Sequence, residues 1–311
     1  MRLPFERVGL VINPTAGAHK AARIGELIRR DLAERQIPTV DLSGDNAPEA
    51  IDHIREAVDT GAIDRLVAVG GDGIVNLAVN ALAGSGVPLA IIPAGTGNDL
   101  AAALGVPFGD HAAALDLLLT GVTHTVDAAQ VTGDHGDVSW FAGVLAGGFD
   151  AVVNERANGI RWARGSTKYT ISALLELPVF RPIPYRITID GERYDGGAML
   201  VAVANAQSYG GGMQVVPTAR MNDGLLDVLI LGELSKATFI RVFPMVFSGK
   251  HIRHPAVRII KGRRVELDAP GIVAYADGER IGPLPRSIAV VPGAMHIVGA
   301  RRPPGLEAAL P

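Results

Sequence analysis

The chain has 311 residues, of which 48% are hydrophobic and 20% are charged, so it has enough apolar material for one or two globular cores. Its formal net charge of −3 lacks the basic excess that is typical of proteins binding nucleic acid. It contains no cysteine, which excludes disulfides, a thiolate nucleophile and cysteine-ligated zinc.

The apolar runs are short throughout the chain. None approaches the roughly 18–20 residues that a helix needs to cross a bilayer. The N-terminal stretch MRLPFERVGLVINP has too short an apolar run for a signal peptide and is better interpreted as a first strand. We therefore expect a soluble, cytoplasmic protein.

The first part of the chain, up to about residue 121, alternates strand-like and helix-like segments. Continuous apolar runs are typical of parallel strands buried on both faces. These runs are Val8–Ile12, Leu66–Val69 and Leu89–Ile92. Amphipathic or alanine-rich stretches predict helices over residues 18–35, 48–59, 74–83, 98–104 and 111–120. The alternation predicts an α/β domain, residues 1–124, in which helices cover a mainly parallel sheet.

The pattern changes near Thr123 to short strands separated by turn signals. Asp190-Gly191 and Asp277-Gly278 are typical of hairpin turns. One helix, over about residues 235–248, is expected to interrupt the strands, and Pro244 should kink or shorten it. These features predict a mainly antiparallel β-sandwich over residues 125–298. A C-terminal tail, residues 299–311, is expected to return to the first domain.

Three glycine-containing loops follow predicted strands of the first domain, namely Asn13–Gly17, Gly70–Gly73 and Pro93–Asp99. Loops at the carboxyl ends of parallel strands line the ligand crevice of such sheets. Glycine lets backbone N–H groups approach a phosphate, whereas the carboxylates of Asp72 and Asp99 would repel it unless a divalent cation lay between them. The loops therefore predict a phosphate site with Mg²⁺, although no Walker motif is present.

Several segments together resemble the diacylglycerol kinase catalytic-domain family, in its bacterial lipid-kinase branch. In chain order they are NPTAG, GGDG, PAGTGNDLA, GGFDA, VPTARMNDGLLDVLIL and YADGE, spread from residue 13 to residue 279. The resemblance implies an ATP-dependent kinase that phosphorylates a hydroxyl of diacylglycerol or a related lipid. Phospholipid biosynthesis is the process that it implies.

The resemblance also implies roles for individual residues. Nucleotide contacts are implied along the three loops, in the helix after the second one and at one separate serine, namely Asn13, Pro14, Thr15, Ala16, Gly17, Ser43, Gly70, Gly71, Asp72, Gly73, Asn76, Gly95, Thr96 and Asn98. An acidic network that holds Mg²⁺ through water is implied for Asp72, Asp99 and Asp127. A structural metal site is implied for the Asp223 carboxylate with the carbonyls of Arg220 and Leu225.

Two acidic residues are candidates for the base that orients the attacking hydroxyl. They are Asp277 and Glu279, and the sequence leaves open which of them takes the proton. Asp72 is the third implied catalytic residue. The chain departs from the family at Ile74, where a threonine usually follows GGDG, so a hydroxyl near the phosphates is missing.

A lipid substrate requires contact with a membrane. Residues 156–168 carry Arg156, Arg161, Arg164 and Lys168 around Trp162, which is a pattern found in segments that dock on anionic lipid. The same cluster also fits a solvated loop. We expect transient, peripheral contact at the inner face of the membrane, and a homo-oligomer such as a dimer. His251 and His254, beside Arg253, are expected at the surface.

Two alternatives stay open on the sequence. An NAD kinase shares GGDG and a β-rich second domain, but it typically has an Asn-Glu pair where this chain has Asn98-Asp99. A non-catalytic nucleotide- or lipid-binding protein is suggested by Ile74, whereas the acidic residues at positions 72, 99, 277 and 279 favour catalysis.

Overall fold

The computed structural model describes residues 5–13, 20–95, 97–159 and 180–306. The described residues form two compact units, each built from separate stretches of the chain. Unit 1 comprises those within 1–128, 220–224 and 291–311, and unit 2 comprises those within 129–219 and 225–290. The predicted positions Pro14, Thr15, Ala16, Gly17 and Thr96, and residues 160–168, lie outside the described residues.

Unit 1 contains a parallel sheet with the strand order β2-β1-β3-β4-β15. The strands are β1 (Val8–Ile12), β2 (Thr39–Asp41), β3 (Arg65–Gly70), β4 (Leu89–Pro93) and the C-terminal part of β15 (Arg286–Gly299). Every residue of β3 and β4 is buried, as expected of strands covered on both faces. The short edge strand β2 was not predicted, because its three residues are partly or fully exposed and carry no apolar run.

The helices of unit 1 begin and end within two residues of the predicted bounds. They are α1 (Lys20–Glu34), α2 (Ala47–Asp59), α3 (Asp72–Leu82), α4 (Asp99–Ala103) and α5 (His111–Thr120). Two begin with a polar cap: the side chain of Asn46 accepts the N–H of Glu49 at 3.0 Å, and Asp110 accepts that of Ala113 at 3.0 Å. The predicted α/β architecture with a helix-covered parallel sheet is confirmed.

Unit 2 is an antiparallel β-sandwich, as predicted. Its strands are the last residues of β5 (Val122–Thr132), then β6 (Val138–Phe141), β7 (Val144–Ala146), β8 (Ile183–Ile189), β9 (Glu192–Ala204), β10 (Leu226–Gly232), β11 (Val257–Gly262), β12 (Arg264–Asp268), β13 (Val273–Ala276) and β14 (Glu279–Pro283), and the first residues of β15. The first half of β9 pairs with β8, and its second half lies between β7 and β10. Both predicted hairpin turns are present, with positive φ at each residue of Asp190-Gly191 and Asp277-Gly278.

Two helices of unit 2 pack together through aromatic rings. Helix α7 (Lys236–Val242) ends before Pro244 and continues as 3₁₀ turns over Phe243–Ser248 and Lys250–Arg253, so the predicted shortening is confirmed. Helix α6 (Phe149–Gly159) was not predicted, and the expectation of a single helix in this half was wrong. Its Phe149 ring lies 5.1 Å from that of Phe239 on α7, a tertiary contact that periodicity does not show.

One predicted surface residue is buried. His251 is 6% exposed, and its Nε2 lies 2.9 Å from the backbone carbonyl of Val215. Its 3₁₀ turn directs the imidazole inward, whereas the adjacent Arg253 is exposed. Burial lowers the pKa of His251. The expectation of a surface histidine was therefore wrong, because a charged neighbour in the sequence does not report which side of a turn faces solvent.

Candidate active site

The second and third glycine loops follow neighbouring strands and touch each other. Gly70, at the end of β3, is in register with Pro93 at the end of β4, and its carbonyl accepts the N–H groups of Ala94 and Gly95 at 2.8 and 3.2 Å. A Cβ added to Gly95 would lie 2.3 Å from the Cα of Gly71. The glycines therefore allow the two backbones to pack directly against each other, in addition to leaving N–H groups uncovered.

Asp72 is the residue that joins these two loops. It begins α3, and its carboxylate accepts the backbone N–H of Asn98 and of Asp99, each at 2.9 Å. A Cβ on Gly97 would lie 1.8 Å from one of its oxygens, so that position also requires glycine. Burial raises the pKa of Asp72, the hydrogen bond from Asn98 opposes this shift, and the charge of Asp99 adds to it.

The chemistry of these two acids fits a hydrated divalent cation. A cation beside Asp72 and Asp99 would relieve the repulsion that raises the pKa of Asp72, and oxygen donors suit Mg²⁺. Within the described part of the chain, no group of three or more His, Asp or Glu side chains is placed to hold a metal ion.

The other described nucleotide candidates lie at or beside the same strand ends. The backbone N–H of Asn13 donates to Val69 on β3 at 3.2 Å, and the Ser43 hydroxyl accepts the N–H of Ile12 at 3.0 Å. Asn76 is buried in α3, where its side-chain carbonyl accepts from the amide of Asn80 at 3.1 Å.

Ile74, the departure from the family, is also buried. A Cβ on Gly70 would lie 2.7 Å from its side chain. The side chain therefore packs beneath the glycine loop.

Asp127 holds a turn in place. It is buried on β5, and its carboxylate accepts the N–H of Gly224 at 2.7 Å and of Gly293 at 2.9 Å. Its own N–H donates to the carbonyl of Met221 at 2.6 Å. The contacted turn contains the half-buried Asp223, the candidate ligand of the structural metal. The metal-ligand role of Asp223 stays a prediction.

The two acids of the DGE motif differ in surroundings. Asp277 lies in the hairpin turn, and its carboxylate accepts three backbone N–H groups, from Ala142 at 3.1 Å, Gly143 at 3.3 Å and Val144 at 3.0 Å. Glu279 is exposed at the start of β14 and has no hydrogen bond or ion pair with any residue that the structure describes. The turn thus presents one fixed carboxylate and one that is open to solvent.

Two further acids of unit 2 were missed in the sequence, because both lie on the unpredicted helix α6. Glu155 accepts the Tyr275 hydroxyl at 2.6 Å and Arg280 at 2.8 Å, and these bonds hold the pKa of Glu155 below its usual range. Asp150 accepts the hydroxyl of Tyr209, and burial raises the pKa of Asp150. The GGFDA segment was the one available signal for Asp150.

Comparison with known proteins decides the family. The model of the diacylglycerol kinase catalytic domain matches residues 7–131, and the YegS C-terminal NAD kinase beta sandwich-like domain matches residues 143–299. A diacylglycerol kinase of Mycobacterium tuberculosis (strain ATCC 25618 / H37Rv) is 38% identical over 95% of this chain and 96% of its own length. The chain belongs to the bacterial diacylglycerol and lipid kinase family.

Other relatives agree with this membership. A diacylglycerol kinase of Bacillus subtilis (strain 168) is 30% identical over 94% of this chain and 96% of its own length. A crystal structure of a diacylglycerol kinase from Bacillus anthracis str. Sterne covers 96% of this chain and 99% of its own, with a TM-score of 0.72 and 24% identity, and so shares the fold. The resemblance drawn from the motifs is confirmed, and the protein is a kinase. In the described residues, no helix is long and apolar enough to span a bilayer.

Proposed function

We propose that this kinase transfers the γ-phosphate of ATP to a hydroxyl of diacylglycerol or a related lipid alcohol, as a peripheral enzyme of phospholipid synthesis at the inner face of the membrane. The observation that carries the proposal is the pair of glycine loops joined by the Asp72 carboxylate at the ends of β3 and β4. The names of the relatives support the lipid acceptor.

In this proposal the nucleotide phosphates lie over the glycine loops. Backbone N–H groups and the N-terminus of α3 favour negative charge there. Asp72 and Asp99 are the residues that would hold Mg²⁺ there. The ion, when bound, neutralises the charge on the β- and γ-phosphate oxygens. Asp72 also fixes the third loop, so one side chain shapes the site and would hold the cation.

We assign the base to Glu279 and the shaping of its turn to Asp277. Three N–H groups occupy the Asp277 carboxylate, whereas the Glu279 carboxylate is exposed and open to a substrate hydroxyl. In the reaction, Glu279 accepts the hydroxyl proton as the lipid oxygen bonds to the γ-phosphorus. The bond from that phosphorus to the β,γ-bridging oxygen breaks, and ADP leaves. The products are a lipid phosphate, ADP and a proton.

Turnover with a panel of acceptors tests this function. We expect ATP- and Mg²⁺-dependent phosphorylation of diacylglycerol or another lipid alcohol in mixed micelles, and none of NAD. Phosphorylation of NAD alone would instead assign an NAD kinase. ATP binding without turnover on any acceptor would assign a non-catalytic protein.

A pair of variants tests the base. Glu279→Gln should lower kcat about 10²–10⁴-fold, the usual contribution of a general base, and leave the melting temperature unchanged because the side chain is exposed. Glu266→Gln, at an exposed acid on β12, is the matched control and should keep full activity. A kcat within about twofold of wild type for Glu279→Gln would remove Glu279 from the mechanism.

A further inference from the structure

An apolar stripe lies exposed on the segment formed by α7 and the two 3₁₀ turns after it, here called the 236–253 segment. Ile240 is 54% exposed and Phe247 is 57% exposed, and Pro244 between them is also exposed. Their spacings of four and three residues place them on one side of the helix and of the 3₁₀ turn that follows. Large apolar side chains grouped on one exposed face mark an interaction site.

The opposite side of the same segment anchors it to the core. Phe239, Val242 and Val246 are buried, and the ring of Phe239 packs on Phe149. The segment also begins with a cap, because the Ser235 hydroxyl accepts the N–H of Thr238 at 3.2 Å. The exposed stripe is therefore held by a packed element, and its exposure cannot be relieved by folding the side chains inward.

The charged residues of the segment itself have one sign. From Leu234 to Val265 the sequence contains no Asp or Glu, although it contains many Lys and Arg residues. Arg241, Lys250 and Arg253 are exposed and have no carboxylate partner among the described residues. This basic rim is found on a chain whose net charge is −3, so the positive charge is concentrated locally.

We propose that the 236–253 segment docks the protein on an anionic lipid bilayer. Ile240, Pro244 and Phe247 enter the boundary between headgroups and acyl chains, while Arg241 and Arg253 contact lipid phosphates. Charge complementarity selects this occupant, because the charged residues within the segment are all basic, and like charges oppose its packing against a second copy of itself. This inference rests on the proposed function, because docking on a membrane would give the enzyme access to a lipid alcohol substrate.

Binding to vesicles in the absence of ATP tests the proposal independently of catalysis. The protein should float with vesicles of phosphatidylcholine and phosphatidylglycerol, and less with phosphatidylcholine alone. The double variant Arg241→Glu/Arg253→Glu should bind anionic vesicles about 30-fold more weakly or worse, because each arginine near an anionic surface strengthens binding about fivefold. Phe247→Ser should weaken binding about tenfold, on both kinds of vesicle, because it removes apolar insertion.

Matched variants in unit 1 make the result specific. Arg301→Glu/Arg302→Glu changes the net charge equally at exposed positions, and Phe108→Ser removes a side chain that is 62% exposed. Both should bind vesicles as the wild type does, and all variants should keep the wild-type melting temperature.

Three results would overturn the docking proposal. They are equal losses of vesicle binding in the control variants, wild-type binding by the segment variants, and a dimer in sedimentation that Phe247→Ser dissociates without changing vesicle binding. If the protein phosphorylates none of the acceptors, the proposed function fails, but the vesicle-binding result still tests the docking surface. Conversely, the protein could phosphorylate a short-chain diacylglycerol in solution while the variants of the 236–253 segment bind vesicles as the wild type does. That result would reject the docking surface and leave the proposed function in place.

Discussion

At the scale of single residues, Asp72 has two roles that a substitution would separate. Its carboxylate joins the two glycine loops, and it is proposed to hold Mg²⁺. Asn at this position keeps the shape but presents an NH₂ group to one of the backbone N–H donors of the third loop. We expect Asp72→Asn to lower kcat at least about 100-fold, because an amide would hold the proposed Mg²⁺ poorly. We also expect it to destabilise unit 1 by about 1–3 kcal/mol, the cost of leaving a buried N–H donor without an acceptor.

The matched control is Asp110, an aspartate that caps a helix. Asp110→Asn removes the same charge at the start of α5, where its carboxylate accepts the N–H of Ala113. Because Asn caps helices as well as Asp does, turnover and urea unfolding should stay near wild type. Turnover by Asp72→Asn within about twofold of wild type would exclude Asp72 from cation binding.

The buried His251 predicts a pH-dependent stability. Burial depresses its pKa in the folded state below the ordinary value of 6.5, so between these two values the unfolded chain binds more protons. Stability from this group is therefore complete above pH 6.5 and is lost as the pH falls through the folded-state pKa.

Urea unfolding at a series of pH values should show this difference. His251→Gln retains a donor for the Val215 carbonyl and does not titrate, so the free energy of unfolding should fall less steeply on acidification than in the wild type. The exposed His135→Gln should keep the wild-type slope. If the free energy of unfolding of the wild type and of His251→Gln depends on pH with the same slope, His251 is not the source of the pH dependence.

At the scale of elements, the contact between the two glycine loops is the most constrained part of the site. Gly95→Ala would place a Cβ 2.3 Å from backbone of Gly71, so the loops must separate. We expect a loss of stability of about 1–3 kcal/mol, as for overpacking, together with a higher KM for ATP. Gly232→Ala is the control, because its added Cβ would meet the nearest atom at 3.4 Å. Equal KM values for the two variants would show that the loop contact does not shape the nucleotide site.

The elements that the sequence predicts well are those with a single dominant signal. Apolar runs predicted β3 and β4, and helix α5 was predicted over its observed range. Helix α6 was missed because its side chains show no clear helical periodicity, and its position depends on the ring of Phe149 packing on α7. A contact between distant parts of the chain leaves no local pattern.

The site shows the same division. The strand-end glycine loops and Asp72 were predicted from the sequence, and their proximity is found in the structure. The contact of Asp127 with Gly224 and Gly293 could not be derived, because it joins residues 97 and 166 positions apart. The difference between Asp277 and Glu279 also depends on the turn between β6 and β7, which supplies the N–H groups and is distant in sequence.

At the scale of the whole molecule, removal of metal is the most direct test of the predicted site at Asp223. If that carboxylate binds a structural Mg²⁺, a chelator should lower the melting temperature of the wild type, because an ion at about 100 times its dissociation constant stabilises by about 2.7 kcal/mol. Asp223→Ala should melt at a lower temperature than the wild type and show no further change with chelator.

A second turn aspartate provides the comparison. Asp134→Ala, at an exposed position in the turn before β6, should retain the full response to chelator. If the wild type melts at the same temperature with and without chelator, the prediction of a structural metal is wrong. The measurement uses scanning calorimetry and needs no substrate, so it is independent of the proposed reaction.

The pairing of β15 with β4, through Ile297 and Leu89, has a consequence for the order of synthesis. A ribosome releases β1 to β4 early, but the strand that completes their sheet comes from the last part of the chain. Until then β4 is an open edge, which can pair with other nascent chains. We therefore expect the nascent first unit to depend on chaperones, and fragments that stop near residue 131 to aggregate however well their own sequence matches a complete catalytic domain.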